Sequence, residues 1–572
     1  MHFKRSAICL LLAAASAASN AGAEEHSVKH VLLISVDGLH QGDLEGFARN
    51  NPGSTLARLL DGGVTYTHAR TPFPSDSFPG MVGQVTGGNP KTTGIYYDDA
   101  YSRELLAAGT AGSACKTTPK GAEVFYAEVI ARDMNRIDSG QGIPNLYKNG
   151  TTDLTQIPQL TGHAIDLIDA TKLPVDPATC KPVYPHQYLK VNTIFEVAHG
   201  RGWRTAWSDK HAAYEILSGP SGQGIDDLFA PEINSNVADP GDPKSSEYGS
   251  GPDWTKDNTN TQRYDAAKVQ AVLNWIAGFD HAHQHHVGTP VIFGMNFQSV
   301  STAQKLNKSA YYVDPNDPTS LVSNGLGGYT NAGTPGPVLT SALHFVDIKL
   351  AEIIKAIDPR NTVVVLSAKH GQSPEQRADL TIINDGSMID ALNAGWDPTY
   401  ATDGSLPLVA HAMDDDGILL WLNDRSPKAL MFAKHFLRNY AGNGIGSDAA
   451  GNPITKPFTH AGTRAIHIGE EAAELFGVRP GDSRVPDLVG IAQHGTVWAG
   501  GKLSKIAEHG GAATQDRHVP IVVWGAGIAH RTVTEPVETT QIAPSILELL
   551  GLDPKELQAV REEGTPALPQ LH

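Results

Sequence analysis

HVLLISVDG, residues 30–38, decides the fold. His30–Val36 is a nearly continuous apolar run without the strict alternation of a half-exposed strand, which is the pattern of a strand buried on both faces. Such strands belong to parallel sheets, whose carboxyl edge is where α/β folds hold their ligands. Asp37 stands just past that edge. Working outward, Val291–Phe293, Val363–Leu366 and Ile521–Trp524 read as further short strands. Leu56–Leu60, Gly80–Thr86 and Leu343–Ile357 read as helix. Near the end, Thr540 is expected to cap a helix that carries Ile542, Ile546, Leu549 and Leu550 on one face, with Pro544 in its first turn. Strands alternating with helices predict an α/β fold: a mostly parallel central sheet with helices on both faces and inserted loop or cap regions. Lys369 and His370 follow the VVVL strand as Asp37 follows its own, so the edge rule brings the three together.

The chain has 572 residues, 40% hydrophobic and 18% charged, enough for one large α/β domain. Residues 1–23 read as a secretory signal: Lys4 and Arg5, a short apolar stretch from Ala7 to Ala15, then Ala21-Gly22-Ala23 as cleavage site. The expectation is an exported protein, secreted or periplasmic, of residues 24–572. Its insertions fall at about 100–185, 220–262 and 305–338, rich in Gly, Pro, Thr and Asp. No segment offers the roughly 20 apolar residues of a membrane span. Without Lys4 and Arg5, 42 basic side chains face 61 acidic ones, a net charge of −19, which argues against a nucleic-acid-binding surface. That charge says little about a small-molecule substrate. Cys115 and Cys180 are the two cysteines left after the signal, and in an exported chain they predict one disulfide.

Five segments carry a resemblance. VLLISVDG (31–38) resembles the first strand of alkaline phosphatases and of nucleotide pyrophosphatase/phosphodiesterases, whose aspartate binds a divalent metal; Asp37 takes that place. TPFPSDSFPGMVGQVTGG (71–88) resembles the nucleophile loop of the phosphodiesterase branch, with Ser77 as nucleophile. A helix beginning near Pro79 would turn its amides toward an oxyanion. VVVLSAKHGQ (363–372) resembles the strand that ends in Asp-His-Gly, with His370 as metal ligand. IAEHGGAATQDRHVPIVVWG (506–525) resembles the segment that closes the site, with His509 as the last ligand. QIAPSILELLG (541–551) resembles the terminal helix. The resemblance to the alkaline phosphatase superfamily implies an ester hydrolase acting on phosphodiesters or phosphomonoesters. It also implies a divalent metal, zinc, at Asp37, His370 and His509, and a covalent intermediate on Ser77.

The departures bear on the metal. Lys369 stands where the pattern has an aspartate ligand. The run Asn296-Phe-Gln298-Ser-Val-Ser-Thr-Ala-Gln304 stands where an Asp-x-x-x-His pair is expected, with either Gln298 or Gln304 at a ligand position. Asp98 falls near a phosphate-binding asparagine. An ammonium beside Asp37 opposes a second cation, so fewer than two ions, or none, are expected. Three arrangements follow: one metal at Asp37 and His370; Lys369 as the positive charge for an oxyanion; or Lys369 as a general base on Ser77, its pKa lowered by burial. The alternatives to a phosphate-ester hydrolase are a metal-independent Ser–Lys hydrolase of another ester and a non-catalytic binding protein on the same scaffold. P-loop, H-E-x-x-H, G-x-S-x-G and sulfatase signatures are missing from the sequence.

Overall fold

A computed structural model describes residues 28–148, 151–235, 254–503 and 505–571; the signal segment lies outside them. The central sheet has eight strands: β1 (His30–Val36), β2 (Val64–Tyr66), β3 (Thr205–Ser208), β4 (Asp227–Phe229), β5 (Ile292–Phe297), β6 (Thr362–Ser367), β7 (Ile521–Gly525) and β8 (Arg531–Val533). Their order is β4-β3-β5-β1-β6-β7-β2-β8. All run parallel except β7, which is antiparallel to both β6 and β2. β1, β5 and β6 are buried along their length apart from a half-exposed His30, as continuous apolar strands covered on two faces must be.

The helices that cover the sheet are α1 (Thr55–Gly62), α2 (Ser77–Thr86), α3 (Asn258–Ile276), α4 (Ser299–Lys305), α5 (Pro337–Ala356) and α6 (Ile542–Leu549). α3, α4 and α5 pack on one another, and α2 packs on α6. The last helix differs from the expected one at its start. Thr539–Gln541 form a 3-10 turn and Gln541 is the cap position, so Thr540 lies inside the turn and caps nothing; Pro544 does sit in the first turn.

The sequence marked three insertions. In the structure, residues 305–338 contain a β-hairpin of Lys308–Asp314 and Asp317–Leu326. Residues 100–182 carry short hairpins and 3-10 turns, tied by a Cys115–Cys180 disulfide. Part of the 220–262 stretch lies outside the described residues. A further region, unmarked in the sequence, builds two four-stranded sheets from segments between Thr381 and Trp498, with an apolar cluster of its own around Ile418, Leu420, Leu437 and Leu488.

Strand register sets the site. Ser35 pairs with Asn296 on one side and Ser367 on the other, and Met295 pairs with Ser208. Asp37, Gln298, Lys369 and the Asp209-Lys210 pair therefore leave four adjacent strands at nearly one level.

Candidate active site

Asp37 is fully buried at the end of β1. Its Oδ2 accepts hydrogen bonds from Asn296 Nδ2 at 3.1 Å and Gln298 Nε2 at 2.5 Å. Three cationic or imidazole nitrogens surround the same oxygen: Lys210 Nζ at 3.7 Å, His370 Nε2 at 3.7 Å and Lys369 Nζ at 4.0 Å. Burial alone would raise the Asp37 carboxyl, but Lys369, His370 and Lys210 hold it well below the usual carboxylate range.

Ser77 is the first residue of α2, two positions earlier than the expected start at Pro79. Asp76 caps the helix, its Oδ2 accepting from Phe78 N at 2.9 Å. This puts the Ser77 hydroxyl at the positive end of a ten-residue helix. α2 reaches β6 through Gly80: a Cβ there would stand 2.0 Å from the Lys369 carbonyl oxygen, so only glycine permits the approach. Ser77 Oγ lies 3.2 Å from His370 Nε2 and accepts from Lys210 Nζ at 3.0 Å. His370 Nδ1 is 2.9 Å from the Gly371 carbonyl, which can only accept, so Nδ1 carries a proton and Nε2 is the nitrogen that faces the Ser77 hydroxyl.

Lys369 is also fully buried, and of the three arrangements expected the general-base one needs its amine at Ser77, whereas the side chain turns to Asp209. Its ammonium donates to Asp209 Oδ1 at 2.7 Å and lies against the Tyr214 ring. Burial pulls its pKa down from the ordinary lysine value, with Asp209 and Asp37 opposing. The ammonium that reaches Ser77 is that of Lys210, which the sequence reading passed over. Burial works against its charge, but Asp37, Asp98 and Asp209 hold its pKa above the ordinary value, so it stays protonated. The signal was present: Asp209-Lys210 directly follow the short apolar strand Thr205–Ser208, as Asp37 follows β1.

His509 joins the group, its ring 4.0 Å from that of His370 and its Nδ1 3.3 Å from Asp76 Oδ1. Burial, with Lys305 and His370 nearby, pushes His509 well below the usual imidazole value and leaves it neutral. Of the two glutamines, Gln298 faces Asp37, whereas Gln304 turns away to the Gly38 carbonyl at 2.8 Å and the Tyr329 hydroxyl at 3.0 Å. Asp98 is half-buried; burial and the neighbouring Asp76 push its carboxyl well above the carboxylate range. A cavity of about 200 Å³ opens beside Lys210, lined among others by Gln298, Ser301, Lys305 and Lys505.

Whether these residues suit a pair of zinc ions can be decided by charge. Zinc takes about four N, S or O ligands. Asp37 keeps one oxygen, Oδ1, without a hydrogen bond. An ion about 2.1 Å from Ser77 Oγ would stand within roughly 5 Å of Lys210 Nζ, because Nζ is 3.0 Å from that same oxygen. A dication and an ammonium at that distance repel by roughly 7 kcal/mol at an effective dielectric of about 20, and Lys369 adds to this. A second group, Asp415, Glu508 and His509, has ligand atoms within 4.8 Å of one another. Both Glu508 oxygens there hold ammoniums, Lys305 at 2.6 Å and Lys505 at 2.8 Å, and Asp415 accepts from the Tyr97 hydroxyl. Asp99, Glu123 and His411 form a third group, closed as an Asp99–His411 ion pair at 3.0 Å. The residues around Ser77 do not fit a two-zinc centre.

A family model described as type I phosphodiesterase / nucleotide pyrophosphatase matches residues 31–155 and 229–516. No curated protein matches the chain in sequence. Among solved structures, wild-type alkaline phosphatase PafA is similar with a TM-score of 0.52 at 15% identity, over 92% of this chain and 96% of that one. Murine ectonucleotide pyrophosphatase / phosphodiesterase 5 gives a TM-score of 0.48 at 12% identity, over 91% and 95%.

Proposed function

The chain belongs to the type I phosphodiesterase / nucleotide pyrophosphatase family of phosphate-ester hydrolases, and from that premise we propose that it is an exported hydrolase of phosphodiesters or phosphomonoesters with Ser77 as nucleophile. The observation that carries the reading is the Ser77 hydroxyl, held between His370 Nε2 and the Lys210 ammonium at the start of α2. His370 takes the Ser77 proton as Oγ attacks phosphorus. The new Oγ–P bond forms as the bond to the leaving oxygen breaks, and that oxygen departs with the proton from His370. Water, deprotonated by the same imidazole, then cleaves the phosphoseryl bond and restores Ser77. Charge gathering on the phosphoryl oxygens meets the α2 amides and Lys210. Asp37 fixes Lys210 by charge and is itself oriented by Asn296 and Gln298. The Cys115–Cys180 bond supports export to an oxidising compartment, as the signal segment does.

The test is turnover of chromogenic phosphate mono- and diesters by the full chain beside Ser77→Ala. The variant is expected to lose more than roughly a thousandfold in kcat. Equal turnover by the two proteins, or turnover of carboxylate esters alone, would refute the reading.

A further inference from the structure

We infer that Lys210 is a catalytic residue whose ammonium, with that of Lys369 beside it, does the work of metal cations, so that Ser77 operates in a metal-independent site. The inference rests on Ser77 being the nucleophile of a phosphate-ester hydrolase. Its geometry is specific. Lys210 Nζ lies 3.0 Å from Ser77 Oγ and 3.7 Å from Asp37 Oδ2, and so bridges the two oxygens that the family resemblance assigns to a single ion. Lys369 Nζ sits between Asp209 Oδ1 at 2.7 Å and Asp37 Oδ2 at 4.0 Å.

The charges agree with the distances. Asp37 and Asp209, both buried, each face an ammonium, Lys210 at 3.7 Å from the first and Lys369 at 2.7 Å from the second. Lysine can do at the nucleophile what a bound cation does there. It stabilises the serine alkoxide as the proton leaves, and it offers N–H donors to the phosphoryl oxygens in a water-poor site. Lys210 has the reach for both. Its side chain is 14% exposed and borders the cavity, whereas the Lys369 side chain is 0% exposed. Lys369 is therefore a positioning residue: it anchors Asp209, whose Oδ1 also accepts from the backbone N–H of Lys210 at 2.9 Å. The residues that would hold a second ion are replaced in the same sense, with Gln298 spending its amide on Asp37 and Lys305 and Lys505 bound to Glu508.

The experiment is a zinc titration by calorimetry of the full chain after exhaustive chelation, run alongside phosphodiester turnover. Wild type is expected to take up no stoichiometric zinc and to turn over equally before and after chelation. Lys210→Met is expected to lose about a hundredfold in kcat with its melting temperature retained, and Lys210→Arg to recover part of that loss. Lys369→Asp is expected to gain zinc uptake that Asp37→Ala removes again. Should Lys369→Asp fail to fold, Lys210→Met supplies the second titration, because removing that ammonium also lowers the barrier to an ion at Asp37. Stoichiometric zinc in wild type, lost in Asp37→Ala and needed for turnover, would overturn the inference. A wild type without turnover would sink the hydrolase reading, and the zinc titration would still decide alone whether the two lysines exclude a metal.

Discussion

The Lys369 ammonium lies 3.9 Å from the centre of the Tyr214 ring. A fully buried cation thus has a π face on one side and the Asp209 carboxylate on another. A desolvated contact of this kind contributes about 2 kcal/mol. The Tyr214 hydroxyl has no hydrogen-bond partner among the described residues, so it adds a desolvation cost and nothing to the ring contact. Tyr214→Phe is expected to leave stability unchanged within about 0.5 kcal/mol or to raise it. Tyr214→Leu is expected to lower it by roughly 2–4 kcal/mol. Urea unfolding of the two variants measures the difference, and equal losses would show that the ring face contributes nothing.

Two single positive charges at Asp37 and Asp209 neutralise those carboxylates and leave little in excess for substrate. A phosphodiester brings one negative charge and a phosphomonoester close to two. The diester is expected to be preferred, by at least about tenfold in kcat/KM, the equivalent of roughly 1.4 kcal/mol. Paired aryl mono- and diesters of one leaving group give the ratio directly, and a monoester preference would contradict this accounting of charge.

His40 is expected to make stability fall on the alkaline side. Burial opposes its charge, but Glu375 and Asp43 outweigh it and raise its pKa from 6.5 to about 9. Its Nδ1 bonds Asp43 at 2.9 Å and its Nε2 lies 2.8 Å from the Gln372 carbonyl. The folded state holds the proton more tightly than the unfolded chain. The stabilisation is therefore complete below about pH 6.5 and is lost as pH rises through about 9, with a total of about 3 kcal/mol. Unfolding free energies at pH 6 to 9.5 should fall more steeply for wild type than for His40→Gln; parallel curves would exclude His40 as the source.

Gly80 is the contact through which α2 meets β6. Gly80→Ala would bring a methyl into the Lys369 carbonyl, and relief requires the helix to move. The expected cost is about 1–3 kcal/mol, with turnover falling further than that cost alone explains because Ser77 rides on the same helix. At Gly83, one turn on, a Cβ meets side chains rather than close backbone, Pro72 at 3.1 Å and the Thr540 methyl at 3.3 Å, with the Gly88 carbonyl at 3.5 Å. Gly83→Ala should therefore be milder in both readouts, and comparable losses at the two positions would refute the argument.

Much of the site was legible because strand ends announce themselves. Asp37, Lys369 and His370 each follow an unbroken apolar run, and register does the rest. Ser77 was legible through the resemblance of residues 71–88 to a nucleophile loop, since a serine between Pro74 and Pro79 is by itself an ordinary turn residue. Lys210 was not read, because β3 is four residues long and Asp209-Lys210 look like any charged turn. The role of Lys369 depended on which partner its flexible stem reaches, and only the fold brings Asp209 to it. Gln298 and Gln304 could not be told apart in sequence: they lie six residues apart across the start of α4, and their side chains enter different networks. The two sheets between Thr381 and Trp498 escaped notice because their strands are short and joined by hairpins, without a long periodic signal.

The single antiparallel strand β7 settles when this protein becomes chemically competent. It enters the sheet between β6 and β2, two strands drawn from distant parts of the chain, and the loop before it delivers His509 beside His370. Pairings so remote in sequence form late and slowly. Until β7 docks, β6 lacks a neighbour on one side and the site lacks His509. Reactivity is thereby tied to completion of the chain: a nascent or truncated product ending before residue 505 is expected to be inert toward the esters that the finished protein cleaves.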